Sequence, residues 1–96
     1  MIDGNANQFI ESLFFEDAYI LYDGKKYFIN GCSCNFDDNH EIINVKLEVY
    51  NIDEGCTVFS VIKPTQTECV TAFEDAPIFN GKTFWDVEQE IQWVDD

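Results

Sequence analysis

Along "EIINVKLEVY", Ile43, Val45, Leu47 and Val49 alternate with Ile42, Asn44, Lys46 and Glu48. A period of two predicts a strand buried on one face and mostly wet on the other. Upstream, "AYILYDGKKYFINGCSC" places two β-rich runs around Asp23 and Gly24, which tolerate positive φ and suit a two-residue hairpin turn. Downstream, the turn residues Asp53, Glu54 and Gly55 precede "CTVFSVIK", a fourth strand. Four antiparallel strands in a meander are the simplest arrangement of these runs.

Helical periodicity flanks the strands. Asn5 can cap a first helix, with Gln8 three residues on, and Phe9, Ile10, Leu13 and Phe14 form its apolar face before it ends near Glu16. After Pro64, Thr65 and Glu68 have capping-box spacing, and Cys69, Val70 and Phe73 follow on one side of a second helix that Pro77 stops. "FNGKT" turns the chain into a last helix, with Thr83 as cap and Asp86 three residues later. Its inward stripe is Phe84, Val87, Ile91 and Val94. The expected fold is a single α+β domain over residues 1–96: an N-terminal helix, a four-stranded antiparallel meander, and two C-terminal helices packed on the sheet.

Composition narrows the function. The 96 residues are 46% hydrophobic and 16% aromatic, far too apolar for a disordered acidic tail despite a net charge of −14. Nineteen Asp and Glu stand against five lysines, Lys25, Lys26, Lys46, Lys63 and Lys82, with no arginine. Direct binding to nucleic acid or to an anionic membrane is disfavoured, because both need Lys and Arg to neutralise phosphates. Such a surface attracts a basic one, for example the nucleic-acid channel of another protein. The N-terminal residues lack the basic and apolar regions of a signal peptide, and no apolar run is long enough to span a bilayer. The expected location is the cytoplasm, where four cysteines serve as thiols or metal ligands rather than disulfides.

Two of those cysteines lie in "INGCSCNFDDNH" with the only histidine. In an extended strand Cys32 and Cys34 point to one face, the geometry for a shared metal and not that of Cys-x-x-Cys redox chemistry. The meander brings the end of that strand, the end of the fourth strand and Cys69 to one edge, with His40 in the connecting loop. Cys56 lies at the far end of the third strand, roughly 23 Å away. The candidate site is therefore Cys32, Cys34, His40 and Cys69 around a structural Zn²⁺. A different sheet order would put Cys56 in place of His40, and the competing reading is of buried free thiols and a solvated histidine. Asp37 and Asp38 read as a solvated loop, since "NFDDNHE" lacks the spaced oxygens and glycine of a calcium loop.

Nothing here assembles an enzyme. A Cys34 and His40 pair has no oxyanion hole or orienting third group in any recognisable motif, and Gly24, Gly31, Gly55 and Gly81 read as turn or strand-end residues, not a phosphate loop. The last helix is more informative. Asp86, Glu88 and Glu90, running into Asp95 and Asp96, offer a basic channel the charge pattern it expects from phosphates. The competing reading is a solubilising face. Against it, Asp95 and Asp96 oppose the helix dipole, and no basic residue follows Lys82. An exposed Trp85 or Trp93 beside them would be an interface anchor.

The order of elements, the acidity and the tail "KTFWDVEQEIQWVDD" resemble those of small phage-encoded anti-CRISPR proteins, which inhibit the type II RNA-guided DNA nuclease. "FNGKTFWDVEQEIQWVDD" is also similar to the ending of small proteins of bacterial mobile elements. The resemblance implies a non-catalytic, stoichiometric inhibitor that docks on the nuclease in the bacterial host cell and blocks DNA loading, in some cases as a DNA mimic. The cysteine cluster departs from the metal-free members of that group. The alternative is a zinc-stabilised interaction module or an antitoxin-like partner of another basic protein. A thiol enzyme comes third.

Overall fold

The computed structural model describes residues 1, 2 and 4–94, in the order α1 (Ala6–Ser12), β1 (Ala18–Tyr22), β2 (Lys25–Phe36), β3 (Ile42–Asn51), β4 (Cys56–Lys63), α2 (Gln66–Asp75), α3 (Phe84–Val87), a 3₁₀ turn (Glu88–Glu90) and β5 (Gln92–Val94). The class is α+β with an antiparallel sheet, as the hydrophobic pattern predicts. Asp23 and Gly24 both take positive φ, 51° and 72°, which gives the β1–β2 hairpin the turn that matches strand twist. The meander runs β4-β3-β2-β1, but a fifth strand continues it beyond β1.

That strand corrects the expected last helix. α3 stops at Val87, Ile91 is extended at φ −95° and ψ 131°, and Gln92–Val94 pair with Leu21, Ile20 and Tyr19 of β1. The stripe of Phe84, Val87 and Ile91 is buried all the same, because a helical turn followed by an extended segment returns each to the core. A short strand of Trp and Val also covers the β1 edge, which a helix would leave unpaired. The helix on which the dipole argument rests therefore does not continue past Glu90 in the described residues.

Phe9 and Leu13 of α1, Val70 and Phe73 of α2, and Phe84 and Val87 of α3 form one core with Ile20, Ile29, Val45, Leu47 and Val49 of the sheet. Aromatic rings tie it together: Phe9 stacks on Phe84 at 5.5 Å, and Phe73 meets Phe84 at 5.8 Å and Phe79 at 6.4 Å. α1 ends at Ser12, earlier than expected. Asn5 holds the N-cap position, but its side chain makes no capping bond.

A bulge in β2 seats the segment after α1. Asn30 pairs with Glu48 and Ser33 with Lys46, so Gly31 and Cys32 together face one residue of β3. Their amides leave the ladder: Gly31 N–H donates to Asp17 Oδ1 at 3.1 Å and Cys32 N–H to the Leu13 carbonyl at 2.8 Å.

Candidate functional site

Thr83 and Asp86 close the N-terminus of α3 as a reciprocal capping box. The Thr83 hydroxyl accepts from the Asp86 amide at 3.4 Å, and Asp86 Oδ2 accepts from the Thr83 amide at 3.1 Å. The Thr83 backbone and hydroxyl bonds hold the Asp86 carboxyl below its ordinary pKa. Asp86 thus remains exposed yet is committed to the cap.

Glu88, half-buried on the 3₁₀ turn, accepts from the Met1 ammonium. Glu90, two residues on, is exposed. The carboxylates expected to meet a partner therefore stand on a short helix and a turn, not along one helical face, and two of the three also hold the fold. Asp95 and Asp96 lie outside the described residues.

Trp85 is the aromatic at this surface. Phe84 and Val87 point inward, which leaves the two residues between them facing out, Trp85 44% exposed. Its indole is nevertheless fixed: Nε1 donates to Glu74 Oε2 at 2.7 Å, and the ring stands edge-on to Phe84 at 5.1 Å. It walls an open cleft of about 580 Å³ whose other lining residues are Met1, Ile2, Gly4, Ala6, Asn7, Glu88 and Gln89. Trp93, half-buried, packs edge-on against Phe9 at 5.4 Å at the margin of the core.

Cys69 and Cys34 both lie within electrostatic reach of the Cys32 thiol. Cys69 is fully buried and its Sγ donates to the Val45 carbonyl at 3.1 Å, while Cys32 Sγ lies 3.8 Å from the Gln66 carbonyl. Burial, with the neighbouring thiols of Cys69 and Cys34, pushes the Cys32 thiol up to about 11. Burial also raises Cys69.

His40 is exposed at the tip of the β2–β3 loop, with a positive φ of 62°. The loop is organised by Asp37, whose Oδ1 accepts from the amides of Asn39 at 2.8 Å and Glu41 at 3.0 Å. Cys56 pairs with Asn51 at the opposite end of β3 from Val45 and Cys34. As placed, the thiols pack as hydrogen-bond donors, and no three His, Cys, Asp or Glu side chains among the described residues are grouped as metal ligands.

Glu74 and the 1–7 segment escape sequence reasoning, because their approach to residues 85–89 is long-range and carries no motif. Trp85 has a signal: it lies between two inward positions of one helical turn. No helix among the described residues is long and apolar enough to cross a membrane. No protein-family model matches the chain, and no curated protein or solved structure is similar to it.

Proposed function

We propose that the chain is a non-catalytic acidic inhibitor that docks on a basic nucleic-acid-binding protein, an RNA-guided DNA nuclease of the CRISPR type, and blocks its loading with DNA. The observation that carries this reading is Trp85, held rigid by Glu74 while exposed, in one cleft with Glu88 on a chain of net charge −14. A fixed aromatic supplies contact area with little loss of side-chain freedom on binding. The surrounding carboxylates steer a cationic channel toward it and occupy the place of phosphates.

The test is a DNA-loading assay with purified type II nuclease and guide. The parent chain blocks loading at one-to-one stoichiometry, and its capture weakens as salt rises because the attraction is screened. Reversing Glu88 and Glu90 to Lys weakens capture more than reversing Glu11. Equal effects remove the α3 surface as the interface, and undiminished DNA loading removes the nuclease as the partner.

A second reading, a zinc-stabilised interaction module or antitoxin-like partner of another basic protein, rests on the convergence of Cys32, Cys34 and Cys69. It requires His40 to swing in from the loop tip or a ligand from outside the chain. Metal analysis after zinc-replete, reducing expression decides it: one zinc per chain that survives Cys56→Ser supports the set, and zinc-free protein removes it.

A further inference from the structure

We propose that β4 pairs antiparallel with β4 of a second copy, so that two sheets join edge to edge into one. β4 is an edge strand, with β3 on one side and no neighbour among the described residues on the other. Its outer amides and carbonyls are a template for another strand. The devices that usually blunt an edge lie at its ends: the register shift between Val49 and Tyr50 falls at Val58, and Pro64 follows Lys63. Between them Phe59–Lys63 pair regularly with Val49, Glu48, Leu47, Lys46 and Val45.

Two features of that run point to a second copy as its occupant. The first is charge. The chain carries −14, yet no acidic residue occurs between Glu54 and Glu68, so this edge is where two copies meet with little local repulsion. Pairing centred on Val61 sets Phe59 against the other copy's Lys63 and Ser60 against its Ile62. No like charges then face each other, and Lys63 lies over an aromatic ring.

The second is incomplete burial. Phe59 and Val61 turn toward the core opposite Val49 and Leu47, which are fully buried, but they are themselves only half-buried. Beside them an open groove of about 330 Å³ is lined by Lys63 and the α2 flank of Thr67, Glu68, Thr71, Ala72 and Asp75. An added strand covers the two apolar side chains.

Sedimentation equilibrium of the full chain tests this, together with hydrogen exchange of residues 59–63. The expected result is an apparent mass that rises toward twice the monomer with concentration, with the Phe59–Lys63 amides slowing in step. Added salt strengthens the dimer by screening the overall repulsion, the opposite of its effect on capture of a basic partner. Ile62 is 57% exposed, and Ile62→Asp weakens association about tenfold. Ser60→Asp does the same, whereas Leu21→Asp on β1 leaves association unchanged. The proposal is overturned by a chain that stays monomeric at every concentration or an edge protected only when a basic protein is added. A dimer indifferent to both Ser60→Asp and Ile62→Asp also overturns it.

Discussion

The backbone oxygen of Glu16 occupies the space that a β-carbon on Gly31 would need: the two would stand 2.1 Å apart. The Leu13 carbonyl would lie 2.9 Å from the same carbon. The turn after α1 is therefore pressed onto the bulge of β2, and only a residue without a side chain permits the contact. Gly31→Ala must push the turn away and loosen the Asp17 and Leu13 bonds. The expected loss is about 3 kcal/mol, read from urea unfolding with an unchanged m-value. A loss below about 1 kcal/mol, within the range of ordinary surface changes, would show that the turn yields freely.

The two tryptophans separate binding from folding. Trp93 is half-buried and packs on Phe9 at the margin of the core, so Trp93→Ala is expected to destabilise by about 2 kcal/mol. Trp85 is 44% exposed with its ring edge-on to Phe84, and Trp85→Ala is expected to lower stability by about 1 kcal/mol or less. If Trp85 is the docking anchor, the same change reduces partner capture by at least about 2 kcal/mol, near thirtyfold. Chemical unfolding and a binding titration on the two variants give four numbers, and a Trp85→Ala chain that binds as the parent does dismisses the cleft.

How far the fold is readable depends on whether local signals agree. Val45, Leu47 and Val49 alternate with wetter neighbours, Asp23 and Gly24 accept positive φ, and Thr83 with Asp86 has capping-box spacing; each constraint is local and appears in the structure, whereas Ile43, expected on the same buried face near the strand's open end, is 57% exposed. The last element is different. Phe84, Val87 and Ile91 satisfy a helical period and a helix-then-strand path equally well, and the choice is made by the open edge of β1, which no local window contains. The same holds for the site. Cys34 and Cys69 lie within electrostatic reach of Cys32 in a sheet whose β4-β3-β2 order is predictable, whereas Trp85 meets Glu74 and shares a cleft with Met1, Ile2 and Asn7 through packing that leaves no periodic trace.

Thiol chemistry follows from placement. Cys56 is exposed, Cys69 is fully buried, and Cys32 is pushed up to about 11 by burial and by the thiols beside it. Only the thiolate reacts with an alkylating reagent, so half-buried Cys32 and buried Cys69 are slow at neutral pH. Limited alkylation of the folded chain under reducing conditions should label Cys56 first and Cys69 last, with Cys69 reacting at the other sites' rate only in denaturant. Peptide mapping reads the order. Zinc is expected to leave Cys56 labelling unchanged if the second reading holds, and to protect Cys32, Cys34 and Cys69 together.

Asp86 gives α3 a pH dependence whose direction can be derived. The Thr83 amide and hydroxyl hold its carboxyl below the ordinary value of 3.8, so the folded chain prefers the ionised form more than the unfolded chain does. Its contribution is complete above that ordinary value and is lost as pH falls through the lower, folded one. Acid also discharges the other carboxylates of a strongly negative chain, which relieves repulsion and acts in the opposite direction. Comparing variants cancels that background. The parent should melt above Asp86→Asn by a constant margin at neutral and mildly acid pH, and the margin should shrink through and below 3.8. A margin independent of pH would assign the cap to the shape of the side chain and not to its charge, and Thr83→Ala would then lower stability equally at both ends of the titration.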